Sequence, residues 1–195
     1  MKKLFSLCIT LIAIAALTIS CEPEITKPNP EHKVGDVITV DGIKGVVFFM
    51  DFDGKHGKIV SLEESQINWS TELIATGATN NVDGEENYKA VSQLPNWKLN
   101  YPAFYRAFSI DGKGTWYLPA KEEVELLLSM SSFINDALTE NGGKPIYPSY
   151  EYWSSTEKNS NEAYLSIVDN NGTVITTAVN KQLPTNKYSR PIRKF

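Results

Sequence analysis

The 195-residue chain has only two cysteines, Cys8 and Cys21. Cys8 lies inside an apolar N-terminal run, so a chain that sheds this run keeps one thiol and can form no internal disulfide. Without that staple the fold must be held by its core, and roughly 160 residues are enough to bury one. Histidine is equally scarce: His32 sits in a proline-rich stretch and His56 in a "GKHG" turn. There is no G-x-S-x-G elbow to raise a serine above a sheet. "DFDGKHGK" misses the EF-hand pattern, because Gly54 stands at its fourth position and Lys55 at its fifth. No second apolar stretch approaches the ~20 residues that a spanning helix requires. Nor is there a cationic excess: 19 Lys and Arg face 23 Asp and Glu, a net charge of −4. Nucleic acid is thereby disfavoured as a partner, since phosphate binding needs a basic surface. No residue pattern calls for a cofactor or a metal.

The N-terminus reads "MKKLFSLCITLIAIAALTISCEPE". Lys2 and Lys3 precede an apolar run that ends in small residues, the layout of an export signal. Cys21 after Ser20 resembles the lipobox of bacterial lipoproteins, in which that cysteine becomes the lipidated first residue. Thr18 stands where the usual leucine would be, and Leu17 is one place earlier. An ordinary secretory signal and a membrane anchor are the alternatives. The lipoprotein reading makes residues 1–20 the signal peptide and Cys21 the lipid attachment site. Loss of Lys2 and Lys3 leaves 17 of the 19 basic residues and moves the net charge from −4 to −6. Residues 21–33 carry three prolines and no apolar periodicity, as expected of a semi-rigid spacer. The membrane is then a partner through the lipid. The implied location is the cell envelope, at the outer membrane, with surface exposure open.

Residues 34–195 read as one domain. Strands are expected at 37–40, 46–50 and 59–62, joined by turns at Asp41-Gly42 and Asp53-Gly54. One broken or short helix is expected within 85–110, with Pro102 in a first turn. The firmest helix begins at Glu122 and Glu123, whose charges suit an N-terminus. It carries Val124, Leu127, Leu128, Ile134 and Leu138 on one face and ends at Gly142-Gly143. Strands return at 152–155, 163–169 and 173–179, and "YSRPIRKF" closes the chain as another. Strands, then helices, then strands define an α+β domain with a mostly antiparallel sheet.

Five stretches in order carry a family resemblance: "GIKGVVFFMDFDGKHGKIVSL", "YPAFYRAF", "GTWYLPAKEEVELLL", "YWSSTEKNSNEAYLSI" and "YSRPIRKF". Together they resemble the Fibrobacter-type major paralogous domain and the C-terminal domain of the Legionella collagen-like adhesin. The resemblance implies a C-type-lectin-like fold whose terminal strands meet in one sheet, with two flanking helices and a long-loop region beside a second small sheet. It also implies a binding or adhesion module on an envelope lipoprotein, and it names no ligand. The calcium signatures of sugar-binding C-type lectins are absent, as are the paired cysteines of formylglycine-generating enzymes.

"YWSST" allows three readings. A nucleophilic serine would need a base within reach, and His56 is the one histidine outside the spacer. A sugar-stacking surface would use Trp153. A structural strand would bury Tyr152 and Trp153 and use Ser154, Ser155 and Thr156 to tie it to a following loop, and this last reading is preferred. Residues 181–195 hold five basic side chains and no acid. They form either a patch for an acidic glycan or a set of ion pairs with neighbouring acids, the second being favoured in an acidic domain. Polar, Asn-rich loops and nearby aromatics make Trp97, Tyr101, Trp153, Asn159, Asn161 and Arg190 the candidate ligand contacts. The expected protein is no enzyme. It is a non-catalytic ligand-binding or adhesion lipoprotein for a glycan or protein ligand, with a structural subunit of a surface complex as the rival.

Overall fold

A computed structural model describes residues 31–183 and 186–195. The signal peptide, Cys21 and residues 22–30 of the spacer lie outside the described residues. Among those described, no helix is long and apolar enough to cross a membrane.

The first sheet is built from β1 (Val37–Val40), β2 (Ile43–Met50), β3 (Gly57–Ser61) and β9 (Ile192–Lys194), in that order and antiparallel throughout. Asp41 and Gly42 both have positive φ, at 50° and 82°, the backbone a two-residue hairpin turn requires. Strands from the two ends of the domain thus share one sheet. β2 is apolar without alternation because both of its faces are covered. Val46 and Phe48 pack with Ile134 and Leu138, while Val47 packs with Ile59 and Trp116.

The second sheet runs β4 (Ser65–Gln66), β8 (Tyr188–Ser189), β5 (Tyr152–Glu157), β6 (Glu162–Val168) and β7 (Val174–Asn180). It is antiparallel except for the contact of β5 with β8. The fold is therefore α+β with two mostly antiparallel sheets, and the second is no smaller than the first.

The broken or short helix expected within 85–110 is a run of three short helices. They are α1 (Gly84–Ser92), α2 (Trp97–Asn100) and α3 (Pro102–Phe108), the last with Pro102 at its first position. Asn96 interrupts them with φ 52°. The long helix expected after Lys121 is broken as well, into α4 (Lys121–Ser129) and α5 (Ser131–Glu140). At the break, the Ser129 hydroxyl donates back to the Leu126 carbonyl, and the Met130 N–H is shared by the carbonyls of Leu126 and Leu127. Leu127 and Leu128 of α4 and Ile134 and Leu138 of α5 enter one core across this break.

Candidate functional site

β5 is buried along its whole length, and its polar residues are ties rather than reactive groups. The Ser154 hydroxyl donates to the Tyr164 carbonyl at 3.0 Å. The Ser155 hydroxyl accepts from Asn87 Nδ2 at 2.9 Å, and its N–H donates to the Pro119 carbonyl at 2.7 Å. Thr156 Oγ1 donates to the Asn80 carbonyl and accepts the Lys121 N–H. The expected tie to the following loop is thus made mainly to preceding segments, around residues 80–87 and 119–121. These side bonds explain why β5 loses register with β6 between Trp153 and Glu157. His56 lies elsewhere, on an exposed turn (66% exposed side chain), where its ring meets the Asp53 carboxylate. Asp53 also accepts the N–H groups of Lys55 and His56. Those backbone bonds and the His56 ring lower the Asp53 pKa to about 2.

Two buried carboxylates organise the loops. Glu123 Oε2 accepts the N–H of Ala120 and of Gly84, each at 2.9 Å, so one side chain holds the first turns of α4 and α1. Its other oxygen accepts Lys58 Nζ at 2.8 Å and the Tyr117 hydroxyl at 3.1 Å. Burial, with the Glu123 charge behind it, pushes the Tyr117 hydroxyl pKa well above the usual phenol value. The approach is close: a Cβ on Gly84 would stand 2.3 Å from the Leu118 carbonyl oxygen. Gly84→Ala is expected to cost about 2–3 kcal/mol through that clash, read as a lower urea midpoint with an unchanged slope. Glu157 is the second carboxylate. It accepts the N–H groups of Thr76 and Gly77 and pairs with Lys181 Nζ at 2.7 Å, with both side chains buried.

Lys181 is the first of the five basic residues that close the chain, and all five are paired. Lys187 meets Glu151 at 2.6 Å, Arg190 meets Glu64 at 3.0 Å and Arg193 meets Asp41 at 2.5 Å. Lys194 bridges Asp83 and Glu85. The ion-pair arrangement is the one the structure adopts.

The six candidate contacts do not converge. Tyr101 is buried against Trp69. Trp153 is buried, and its Nε1 donates to the Ile67 carbonyl while Trp69 Nε1 donates back to the Ser154 carbonyl. Arg190 is buried between Glu64 and the Lys144 carbonyl. These three present no surface to a ligand in this conformation. Asn159 and Asn161 are on the exposed β5–β6 loop, where Asn159 Oδ1 accepts the N–H of Asn161 and of Glu162 and shapes the turn. Trp97 alone of the six is a half-buried aromatic on an open surface.

Around Trp97 the rings of Tyr88, Tyr105 and Phe108 pack at centroid distances of 5.4–6.2 Å. Lys98 Nζ lies 5.0 Å over the Phe108 ring, and Leu99 beside it is 74% exposed. Tyr88 also belongs to a neighbouring groove of about 410 Å³ between α1, residues 113–117 and β9. Tyr88 and Tyr117 supply its rings, Thr115 a hydroxyl and Glu85 a carboxylate. Lys89, Arg193 and Lys194 line it with their charges paired to Glu86, Asp41 and Asp83 respectively. Lys113 is an exposed lining cation with no ion pair among the described residues. Gly114 lets the loop close on Tyr88: its φ is 80°, and a Cβ there would fall 2.7 Å from the Tyr88 hydroxyl. Sequence reading missed Lys113 and Thr115, because a groove assembled from three separate segments leaves no local periodic signal. The Gly-Lys-Gly spacing around Lys113 was its one visible trace.

No family model matches the chain, and no curated protein matches it. Among solved structures it is similar to a fimbrial protein from Bacteroides ovatus ATCC 8483, with a TM-score of 0.53 and 19% identity. The match covers 71% of this chain and 36% of that one, so this chain spans about a third of that protein's length. At this identity the likeness is one of fold.

Proposed function

We propose that this chain is a non-catalytic binding or adhesion domain displayed on the bacterial cell envelope, held there by a lipid on Cys21. Its glycan site is the groove beside Tyr88 together with the aromatic surface at Trp97. The observation that carries the reading is the form of that surface. The half-buried rings of Tyr88 and, beside it, Trp97 border a groove lined by a hydroxyl, a carboxylate and a lysine with no ion pair among the described residues, the mixture that sugar rings and hydroxyls require. The likeness to a protein named fimbrial supports display at the cell surface. The ordered motifs support a C-type-lectin-like fold of the Fibrobacter-type group, as does the sheet shared by the first and last strands. The absence of catalysis is supported by the engagement of Ser154 and Ser155 in structural hydrogen bonds.

Trp97→Ala and Lys113→Ala test the site in a soluble chain beginning at Glu22. Each is expected to weaken binding to the best array glycan by roughly tenfold, as loss of a ring stack or a charged hydrogen bond does. Lys113 is exposed, so its variant keeps the wild-type unfolding midpoint. Unchanged affinity in both variants would move the site elsewhere.

A second reading has its own support. Leu99, Tyr105 and Trp97 form an apolar patch of the kind that a subunit of a surface complex buries against another protein. Specific capture of an envelope protein through Leu99, with no glycan bound, would favour it.

A further inference from the structure

The sheet edges of this domain are unequally protected. β4 is two residues long, and β9 is three residues long with two charges. β1 is four residues long and bracketed by Asp36 and Asp41. These are the short or charged edges by which soluble proteins avoid pairing with other chains. β7 has none of these devices. It runs seven residues, Val174–Asn180, and pairs with β6 without a register shift. From Thr173 to Asn180 it contains no charge and no proline.

The bonds that bracket the ladder fix which backbone groups face outward. Asp169 N–H donates to Thr173 C=O at one end, and Lys181 N–H to Asn161 C=O at the other. Alternation then turns residues 175, 177 and 179 toward β6. The N–H and C=O groups of Val174, Thr176 and Ala178 point away from it and have no backbone partner among the described residues.

We propose that β7 is a self-association edge, pairing antiparallel with β7 of a second copy. The sequence suits a twofold arrangement. Centred on Thr176, Val174 lies opposite Ala178 of the second copy and Ile175 opposite Thr177, and β7 itself brings no charge to the pairing. Ile175, 45% exposed on the open face, gains cover. The chain's own N-terminal spacer is a poor occupant. Pro23, Pro28 and Pro30 leave no more than four consecutive residues free of proline, and proline cannot donate to a ladder. The pairing joins the second sheets of two copies into one and is independent of the ligand reading above.

The test is sedimentation velocity on the chain from Glu22, which keeps every described element, over a rising concentration series. Hydrogen exchange at Val174, Thr176 and Ala178 is followed in parallel. Wild type is expected to dimerise, and these three amides to slow as concentration rises. Ala178→Pro removes an outward N–H from each copy without touching the β6 ladder, and is expected to weaken the dimer roughly tenfold or more at an unchanged unfolding midpoint. Thr177→Pro breaks an inner bond and is expected to lower that midpoint instead. If Ala178→Pro disturbs folding, Ile175→Lys sets two cations near the twofold and is expected to give monomer. A wild type that stays monomeric, a dimer that folded Ala178→Pro or Ile175→Lys leaves intact, or protection of the three amides already in the monomer would overturn the proposal.

Discussion

Glu123→Ala is expected to lower stability by about 3–5 kcal/mol, the cost of leaving a buried charge and several donors without their partner. Four groups converge on this carboxylate: Lys58 Nζ, the Tyr117 hydroxyl and the N–H groups of Gly84 and Ala120. They belong to β3, to the segment before α4, and to the starts of α1 and α4. The loss therefore loosens three elements at once rather than one cap, and Lys58 keeps a largely buried ammonium with no acid beside it. Glu123→Gln keeps the shape and one acceptor but turns an amide N–H₂ toward two donors, so it is expected to cost about 2–3 kcal/mol. Urea unfolding followed by tryptophan fluorescence measures both. A Glu123→Ala midpoint within error of wild type would mean that the N–H groups find other partners.

Glu157→Ala is expected to be as severe, about 3–5 kcal/mol, because it strands the Lys181 ammonium in the interior. Among the described residues that ammonium then keeps the Ile74 carbonyl at 3.0 Å and the Trp69 ring at 4.7 Å. Lys181→Met should cost less, since Glu157 retains the Thr76 and Gly77 N–H groups. The double substitution Glu157→Leu with Lys181→Met should recover the part of the loss due to the stranded ammonium, while the Thr76 and Gly77 N–H groups stay without their acceptor. The pair also sets an acid limit. Burial opposes ionisation of Glu157, but the hydrogen bonds from Lys181 and Thr76 and the Lys181 charge outweigh it, leaving the pKa below the usual 4.5. A depressed folded-state pKa gives stability that is fully present above the unfolded value and is lost as pH falls through the folded one. Wild type should therefore lose stability below about pH 4.5, and Lys181→Met should show less of that acid dependence. Parallel pH profiles for the two would contradict this.

The parts of the fold legible in the sequence are those fixed by neighbours in the chain. Asp41-Gly42 marks its hairpin because the turn needs two positive φ values, and Pro102 marks a helix start because its missing N–H is not needed there. The break at Met130 was hidden, since the apolar spacing on both sides fits one helix. The pairing of the five C-terminal cations could be anticipated from the acidic balance but not assigned, because Arg190 finds Glu64 126 residues away. Burial misled the site reading for the same reason. Trp153 and Tyr101 look like stacking residues until the segment around Trp69 is laid over them, and the bond from Trp153 to Ile67 in that segment spans 86 residues of chain. "YWSST" is the buried strand that its composition suggests, but its partners lie mainly before it in sequence, where residue type gives no pointer to a tertiary hydrogen bond.

The most direct test of the proposed function is glycan-array binding by the soluble chain from Glu22, with and without a chelator. The account predicts binding that survives chelation and is lost or strongly reduced in Lys113→Ala. A blank across neutral and acidic glycans, or binding that vanishes with the chelator, would contradict it.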